Sequence, residues 1–331
     1  MQIQRCIEVP TGHILVVDGE LGNLELVSIG DYGKDVNISS LFLGLDREIG
    51  QVKHQELLPL NEKWVITVST QYGCSMGCKF CDVPLVGRGV NATTNDLIDQ
   101  VKAGMSLHPK VDWSDRLNIH FARMGEPTFN RAVIECCIWA HDWLCPTYMV
   151  HPVVSTMMPK RNDDLLSYLI DWCDIKNDLY DGNAGLQLSI NSTNDIERDK
   201  MFSGSSMSLD EVSSYCDCLP MPVGRKYTLN FAVAGYEIDA GRLLDRFDPD
   251  MFIVKLTPMH KTKRASDSGI ATDGDYTTIY PYKRYKEALE AAGYDVIVFI
   301  ASKEEDESMI TCGNAVLSGR DPLTSAKSVL E

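Results

Sequence analysis

From residue 61 onward short apolar runs alternate with longer amphipathic stretches, and this alternation limits the possible folds more than any other feature of the chain. The runs "WVITVST" (64–70), "RLNIHFA" (116–122), "YMVHPVVST" (148–156), "AGLQLSIN" (184–191), "YTLNFAVA" (227–234), "MFIVKLT" (251–257) and "YDVIVFI" (294–300) read as strands. Between them lie helical candidates such as "TTNDLIDQVKAGM", opened by a threonine cap, and "YPYKRYKEALEAAG", closed by a glycine. Strand and helix repeated six or more times argue for an α/β fold with a parallel sheet, rolled into a full or partial barrel. The opening "RCIEVPTGHILVVDGELGNLELVSIG" differs, because Thr-Gly, Asp-Gly and Gly-Asn pairs break it into short β-rich pieces. The expected organisation is a small β-rich N-terminal module over 1–60, then a barrel over 61–331 that carries a cysteine-containing loop near its end.

The balance of 31 basic against 47 acidic residues gives a net charge of −16, the wrong sign for affinity drawn from a phosphate backbone. Two basic segments, "GRKYTLN" and "KLTPMHKTKRAS", stand out from this background, and such clusters are most often solvated faces. Met1 precedes no apolar leader, and the chain contains no apolar run of about 18 residues. A cytoplasmic protein with no membrane partner is expected. Eleven cysteines in that setting imply reduced thiols and metal or catalytic use. Cys136, Cys137, Cys145, Cys173, Cys216 and Cys218 lie in apolar or helical contexts and read as small buried hydrophobes.

The stretch "TQYGCSMGCKFCDVP" places Cys74, Cys78 and Cys81 in C-x3-C-x2-C spacing with no fourth cysteine or histidine nearby. It follows the first barrel strand, at the strand end where α/β barrels build their active sites. Three thiolates hold three irons of a 4Fe-4S cluster and leave the fourth open to an outside ligand. A structural zinc site calls for a second C-x2-C pair, and the C-x-C at Cys216 and Cys218 has the wrong spacing. A closed electron carrier would show the missing fourth ligand.

"CSMGCKFC", with an aromatic before the last cysteine, resembles the signature of radical S-adenosylmethionine (radical SAM) enzymes. "VSTQYGCSMGCKFCDVP", "RMGEPTFN", "VVSTMMPK", "LQLSINSTNDIERDKM" and "ITCGNAV" follow the order and approximate spacing of one group within them, the dual-cysteine RNA methyltransferases RlmN and Cfr, over roughly residues 64 to 318. The resemblance implies a partial parallel (β/α)6-type radical SAM barrel, S-adenosyl-L-methionine as cosubstrate, and an external one-electron reductant. In that superfamily the open iron binds the cosubstrate's amino and carboxylate groups, and one electron cleaves its sulfonium to a 5′-deoxyadenosyl radical. Gly125 and Glu126 match the pair that contacts the methionine amino group, a carboxylate being the natural acceptor for an ammonium. Ser155, and Ser189 with Asn191, match positions that contact the carboxylate and ribose, the family having histidine where Asn191 stands. Lys255 occupies the place of a cosubstrate-binding asparagine, and a structural lysine is an equal reading.

The same resemblance makes Cys312 the cysteine that is methylated and then carries the methyl to substrate. The second cysteine of the family, which resolves the adduct, falls at Thr67, whose hydroxyl neither forms a disulfide nor ionises near neutral pH. Ahead of Cys312 the family tends to carry arginines, whereas this chain has "SKEEDESM", which repels phosphate. The N-terminal RNA-binding helical region of the ribosomal enzymes is replaced by the β module. Ribosomal RNA is therefore not the expected partner. The expected substrate is nucleotide-like or another small molecule, modified by methyl transfer through Cys312; the alternatives are an RlmN/Cfr-like RNA adenine methyltransferase and a radical SAM enzyme without methyl transfer. His120 and Arg123, leaving a strand at the catalytic face, are further candidates for substrate contact.

Overall fold

The computed structural model describes residues 1–270 and 280–322. Part of the barrel region expected from the sequence, 271–279 and 323–331, lies outside the described residues. The N-terminal region forms β1 (Gln2–Val9), β2 (Gly12–Gly19), β3 (Gly22–Gly30) and the short β4 (Ile38–Ser39). Then come β5 (Trp64–Val68), a small hairpin of β6 (Gln71–Gly73) and β7 (Arg88–Asn91), and β8 (Ser114–Phe121). The series ends with β9 (Tyr148–Thr156), β10 (Gly185–Ser189), β11 (Tyr227–Val233), β12 (Phe252–Pro258) and β13 (Asp295–Phe299).

All but the hairpin join one eleven-stranded sheet in the order β1-β2-β3-β5-β8-β9-β10-β11-β12-β13-β4. From β5 through β13 every neighbouring pair is parallel, and these strands correspond to the seven runs read from the sequence. The two flanks are antiparallel, β3 on β5 and β4 on β13. The N-terminal module thus continues the barrel sheet and covers both of its edges, which leaves no parallel strand with an unpaired rim.

Strand alternation divides the residues between two faces. Ile66, Val68, Leu117, Ile119, Phe121, Leu186, Leu188, Leu229 and Leu256 are fully or almost fully buried in the main core. The residues between them, including Thr67, His120, Gln187, Ser189, Lys255 and Phe299, line a cavity system on the concave face. Helices close the outer face, and Thr93 and Ser208 start two of them with capping boxes to Asp96 and Glu211. The β2–β3 meander packs on the same core through Leu15, Val17, Leu24 and Leu26, all fully buried; each such side chain contributes about 1.5–3 kcal/mol over its exposed state. No helix among the described residues is long and apolar enough to cross a membrane. All eleven cysteines are free. Cys136, Cys137, Cys173 and Cys216 are buried as expected, but Cys218 is exposed because its helix ends at Cys216.

Candidate active site

The three-cysteine loop leaves the carboxyl end of β5 and is pinned on every side. The Thr70 N–H donates to Met124 O at 2.7 Å, the Cys74 N–H to Gly87 O at 3.1 Å, the Lys79 N–H to Met201 O at 2.9 Å and the Asp82 N–H to Gly313 O at 2.7 Å. Met76, Phe80, Met201, Phe202 and Met259 form an apolar sheath that touches Cys74 and Cys81. Burial pushes the Cys74 thiol up to about 11 and raises the thiols of Cys78 and Cys81 as well, the neighbouring thiols adding to the effect. These mutual influences, which extend to Glu126 and Cys312, put all five groups around one space. Among the described residues no three His, Cys, Asp or Glu stand close enough to hold a single metal ion. Three thiols gathered around one space and walled by apolar side chains suit a polynuclear cluster, whose positive irons would favour the thiolates.

Gly125 owes its identity to geometry. Its φ is +102°, and a Cβ would stand 2.6 Å from Thr70 Oγ1 and 2.7 Å from Gln71 Cβ, so only glycine lets this turn press against the cysteine loop. Glu126 follows, 2% exposed. It accepts from the Met157 N–H at 2.9 Å and from Thr128 Oγ1 at 2.8 Å. Burial raises its carboxyl, and these hydrogen bonds pull it back. The turn therefore presents an oriented carboxylate beside the cysteine loop.

Cys312 lies across from this loop in a cavity of about 270 Å³, whose walls include Thr67, Ser155, Ser189, Lys255 and Glu305. Its surface is reached by solvent, yet it sits deep in the protein's mass, and burial raises its thiol while Arg123 and Lys255 oppose the rise. Gly313 beside it has φ +85°, and a Cβ there would meet Phe80 O at 3.1 Å. Thr67 faces the same cavity, and among the described residues no cysteine but Cys312 lines it; Cys6 is on the outer strand β1. Asn191 has φ +61°, its side chain accepts from the Ala232 N–H at 2.8 Å, and it is absent from the cavity wall. Arg123 borders the cavity, but its side chain is committed elsewhere. Its Nε donates to Glu25 Oε1 at 2.8 Å and its Nη2 to Met309 O at 2.9 Å, with both partners of the ion pair almost wholly buried. Glu25 also accepts from the Leu317 N–H at 3.0 Å, so this pair holds the turn that bears Cys312.

Three groups acquire properties that the sequence does not announce. Glu305 closes the capping box that Ser302 opens on the helix Lys303–Glu307, accepts from the Ser302 N–H at 2.6 Å and borders the cavity of Cys312. Burial, then Asp31, lifts its carboxyl to about 7. His120, near the end of β8, faces inward, and burial followed by Lys255 and Arg225 lowers it to about 3, so its imidazole is neutral. Lys255 stands 4.9 Å over the Phe299 ring, and burial, then Arg225, lowers its ammonium to about 8. A second cavity of about 970 Å³ shares His120, Gln187, Lys255 and Phe299 with the first and runs to the opposite strand ends.

Comparison with known proteins agrees with this architecture. No family model matches the chain. The dual-specificity RNA methyltransferase RlmN of Sorangium cellulosum (strain So ce56) is 24% identical over 260 residues, which cover 77% of this chain and 62% of that protein. The RlmN of Anaeromyxobacter dehalogenans (strain 2CP-C) is 27% identical over 203 residues, 58% of this chain and 50% of the relative. The chain thus spans less than two thirds of these relatives' length. A radical SAM methyltransferase from Sphaerobacter thermophilus superposes with a TM-score of 0.63 at 17% identity, covering 95% of this chain and 80% of that one. The chain resembles the RlmN group of the radical SAM superfamily in sequence, without the second cysteine, and shares the fold of a radical SAM methyltransferase.

Proposed function

We propose that this chain, with a radical SAM fold and RlmN-like sequence, is a radical SAM enzyme that modifies a small, nucleotide-like substrate by methyl transfer through Cys312. The observation that carries the reading is the position of Cys312, in a cavity whose walls include Thr67, Ser155 and Ser189 and beside the loop of three convergent thiols. Cys74, Cys78 and Cys81 would hold the 4Fe-4S cluster, which with bound S-adenosylmethionine and an external reductant supplies a one-electron cleavage of the sulfonium. The Glu126 carboxylate offers the acceptor for the cosubstrate's ammonium, and the hydroxyls of Ser155 and Ser189 offer donors to its oxygens. Glu305, with a carboxyl at about 7, is suited to exchange a proton next to Cys312 at neutral pH. Lys255 and neutral His120 supply hydrogen bonds deeper in the cavity. A cytoplasmic, reducing setting suits eleven unpaired thiols.

Thr67 is where this reading departs from the dual-cysteine reaction, because the hydroxyl that faces the cavity cannot resolve a cysteine adduct. A radical enzyme that uses the same chamber without methyl transfer is therefore the second reading. Anaerobic incubation of reconstituted protein with S-adenosylmethionine and dithionite separates the two, with mass spectrometry of the small molecules and of the Cys312 peptide. The expected products are 5′-deoxyadenosine, S-adenosylhomocysteine and a methyl group on Cys312. If 5′-deoxyadenosine forms and Cys312 stays unmodified, the methyl-carrier role is lost and the second reading replaces it. If no 5′-deoxyadenosine forms despite an intact cluster, both readings fail.

A further inference from the structure

The larger cavity gathers positive charge in a protein whose overall charge is strongly negative. Lys34, Lys63, Arg116, Arg225, Lys226 and Lys255 all line it. Lys63 pairs with Asp31 at 2.8 Å and Lys226 with Asp295 at 2.9 Å. Lys34, Arg116, Arg225 and Lys255 have no ion-pair partner among the described residues, and the remaining acids on the wall, Glu62 and Asp115, are exposed. The Arg116 Nε donates only to Asn118 Oδ1, at 3.2 Å. The Arg225 guanidinium lies over the Gly185 backbone, where a Cβ would stand 2.9 Å from Nη1.

Four cations without an ion-pair partner repel one another around one cavity, an effect that Asp31 offsets only in part at Arg116 and Lys255. Burial, then Arg116, lowers the Arg225 guanidinium to about 10, and Lys34 is lowered by burial, then by Arg116, Lys63 and Arg225. Desolvated cations of one sign are costly unless an anion joins them. A monocarboxylate would leave most of the charge unbalanced, whereas a phosphate carries up to two charges and suits the planar guanidinium fork. The basic segment "GRKYTLN" supplies Arg225 and Lys226, which turn inward instead of forming a solvated face.

We propose that this cavity seats a phosphorylated small molecule, with its phosphate among Lys34, Arg116 and Arg225 and its body extending past Lys255 and His120 toward Cys312. The inference rests on the reading of the Cys312 cavity as the reaction chamber, with which this cavity shares the walls of His120, Gln187, Lys255 and Phe299. Size favours a small molecule over RNA, since the segment bearing Asp31, Lys34, Ile38 and Phe42 forms one wall. Inward cations behind an acidic exterior admit a compact anion and repel a polyanion.

Calorimetric titration and thermal melting of the full chain with inorganic pyrophosphate, adenosine 5′-diphosphate, adenosine, succinate and a short single-stranded RNA, at fixed ionic strength, test the inference. Pyrophosphate and the diphosphate are expected to bind and raise the melting temperature, while adenosine and succinate do not. Arg225→Gln weakens pyrophosphate binding roughly tenfold or more, and Arg246→Gln, at a surface arginine paired with Asp210, leaves it unchanged. Should Arg225→Gln not fold, Lys34→Gln at the exposed mouth carries the same expectation of weakened binding. Equal binding of succinate and pyrophosphate overturns the inference, as does wild-type affinity in the folded variant or an RNA that outcompetes the diphosphate. Assay of 5′-deoxyadenosine on the same preparation separates the two ideas. Pyrophosphate binding without that product sinks the radical reading alone, and product without binding sinks the anion site alone.

Discussion

Gly125 and Glu305 show how much one residue's surroundings decide. The φ of +102° at Gly125 and the 2.6 Å approach to Thr70 Oγ1 leave no room for a side chain. Gly125→Ala is expected to cost about 1–3 kcal/mol, read as a lower urea midpoint, and to displace Glu126 from the cysteine loop. Glu305 responds to pH. Its carboxyl rises from 4.5 to about 7 on folding, so the folded state holds the proton longer than the unfolded chain. Its contribution is fully present below 4.5 and is lost as pH rises through 7. Denaturation midpoints of Glu305→Gln across this range should fall less steeply than those of the parent chain; identical slopes would show that Glu305 titrates normally. The glycine in "RMGEP" was legible as part of a motif, whereas Glu305 was not. Within "SKEEDESM" nothing separates the acid that turns inward from those that face water, because a short capped helix has no periodicity long enough to mark a face.

At the scale of elements, the loop of Cys74, Cys78 and Cys81 and the turn of Cys312 are positioned by a buried aspartate and a buried ion pair. Asp82, fully buried, accepts from the backbone N–H groups of Lys263 and Arg264 at 3.1 and 2.9 Å and from Arg320 at 2.8 Å, while its own N–H reaches Gly313. The Arg123–Glu25 pair fixes the other side of the turn, from Met309 to Leu317. Glu25→Ala strands a buried guanidinium, with an expected loss of about 3–5 kcal/mol. The double variant Glu25→Leu/Arg123→Met should recover much of that stability yet alkylate faster at Cys312 and exchange amide hydrogens faster over residues 310–316. Unchanged alkylation would mean that the pair only packs and does not place the turn. The parallel strands were legible because β-branched runs and amphipathic spacers repeat, and β9 coincides with its predicted run. The linkage of Glu25 to Arg123 was not, since local pattern says nothing about residues brought together from distant parts of the chain. Arg123 read as a substrate contact for that reason.

The whole molecule depends on its first residues more than a separate module would. The β2–β3 meander completes the core through Leu15, Leu24 and Leu26, and β3 covers the β5 edge. A chain beginning at residue 31 is expected to aggregate, with its loss of monomer measured by size-exclusion chromatography; a monomeric product of native melting temperature would contradict this. Turn pairs in the first residues mark a β meander, but the signals that reveal a meander do not reveal which sheet it extends. Neither could composition show that a chain of net charge −16 gathers four cations without ion-pair partners around one cavity. The pairing of β4 with β13, Ile38 against Phe299, has a further consequence for the birth of the protein. Ile38 leaves the ribosome long before its partner exists, so the wall it forms with Tyr32 and Lys34 has nothing to lean on while the intervening strands are made. Synthesis from the N-terminus lets β1, β2, β3 and β5 assemble early, whereas the chamber gains its last side only when β13 emerges. Any small molecule that arrived before that moment would meet a chamber still open on that side.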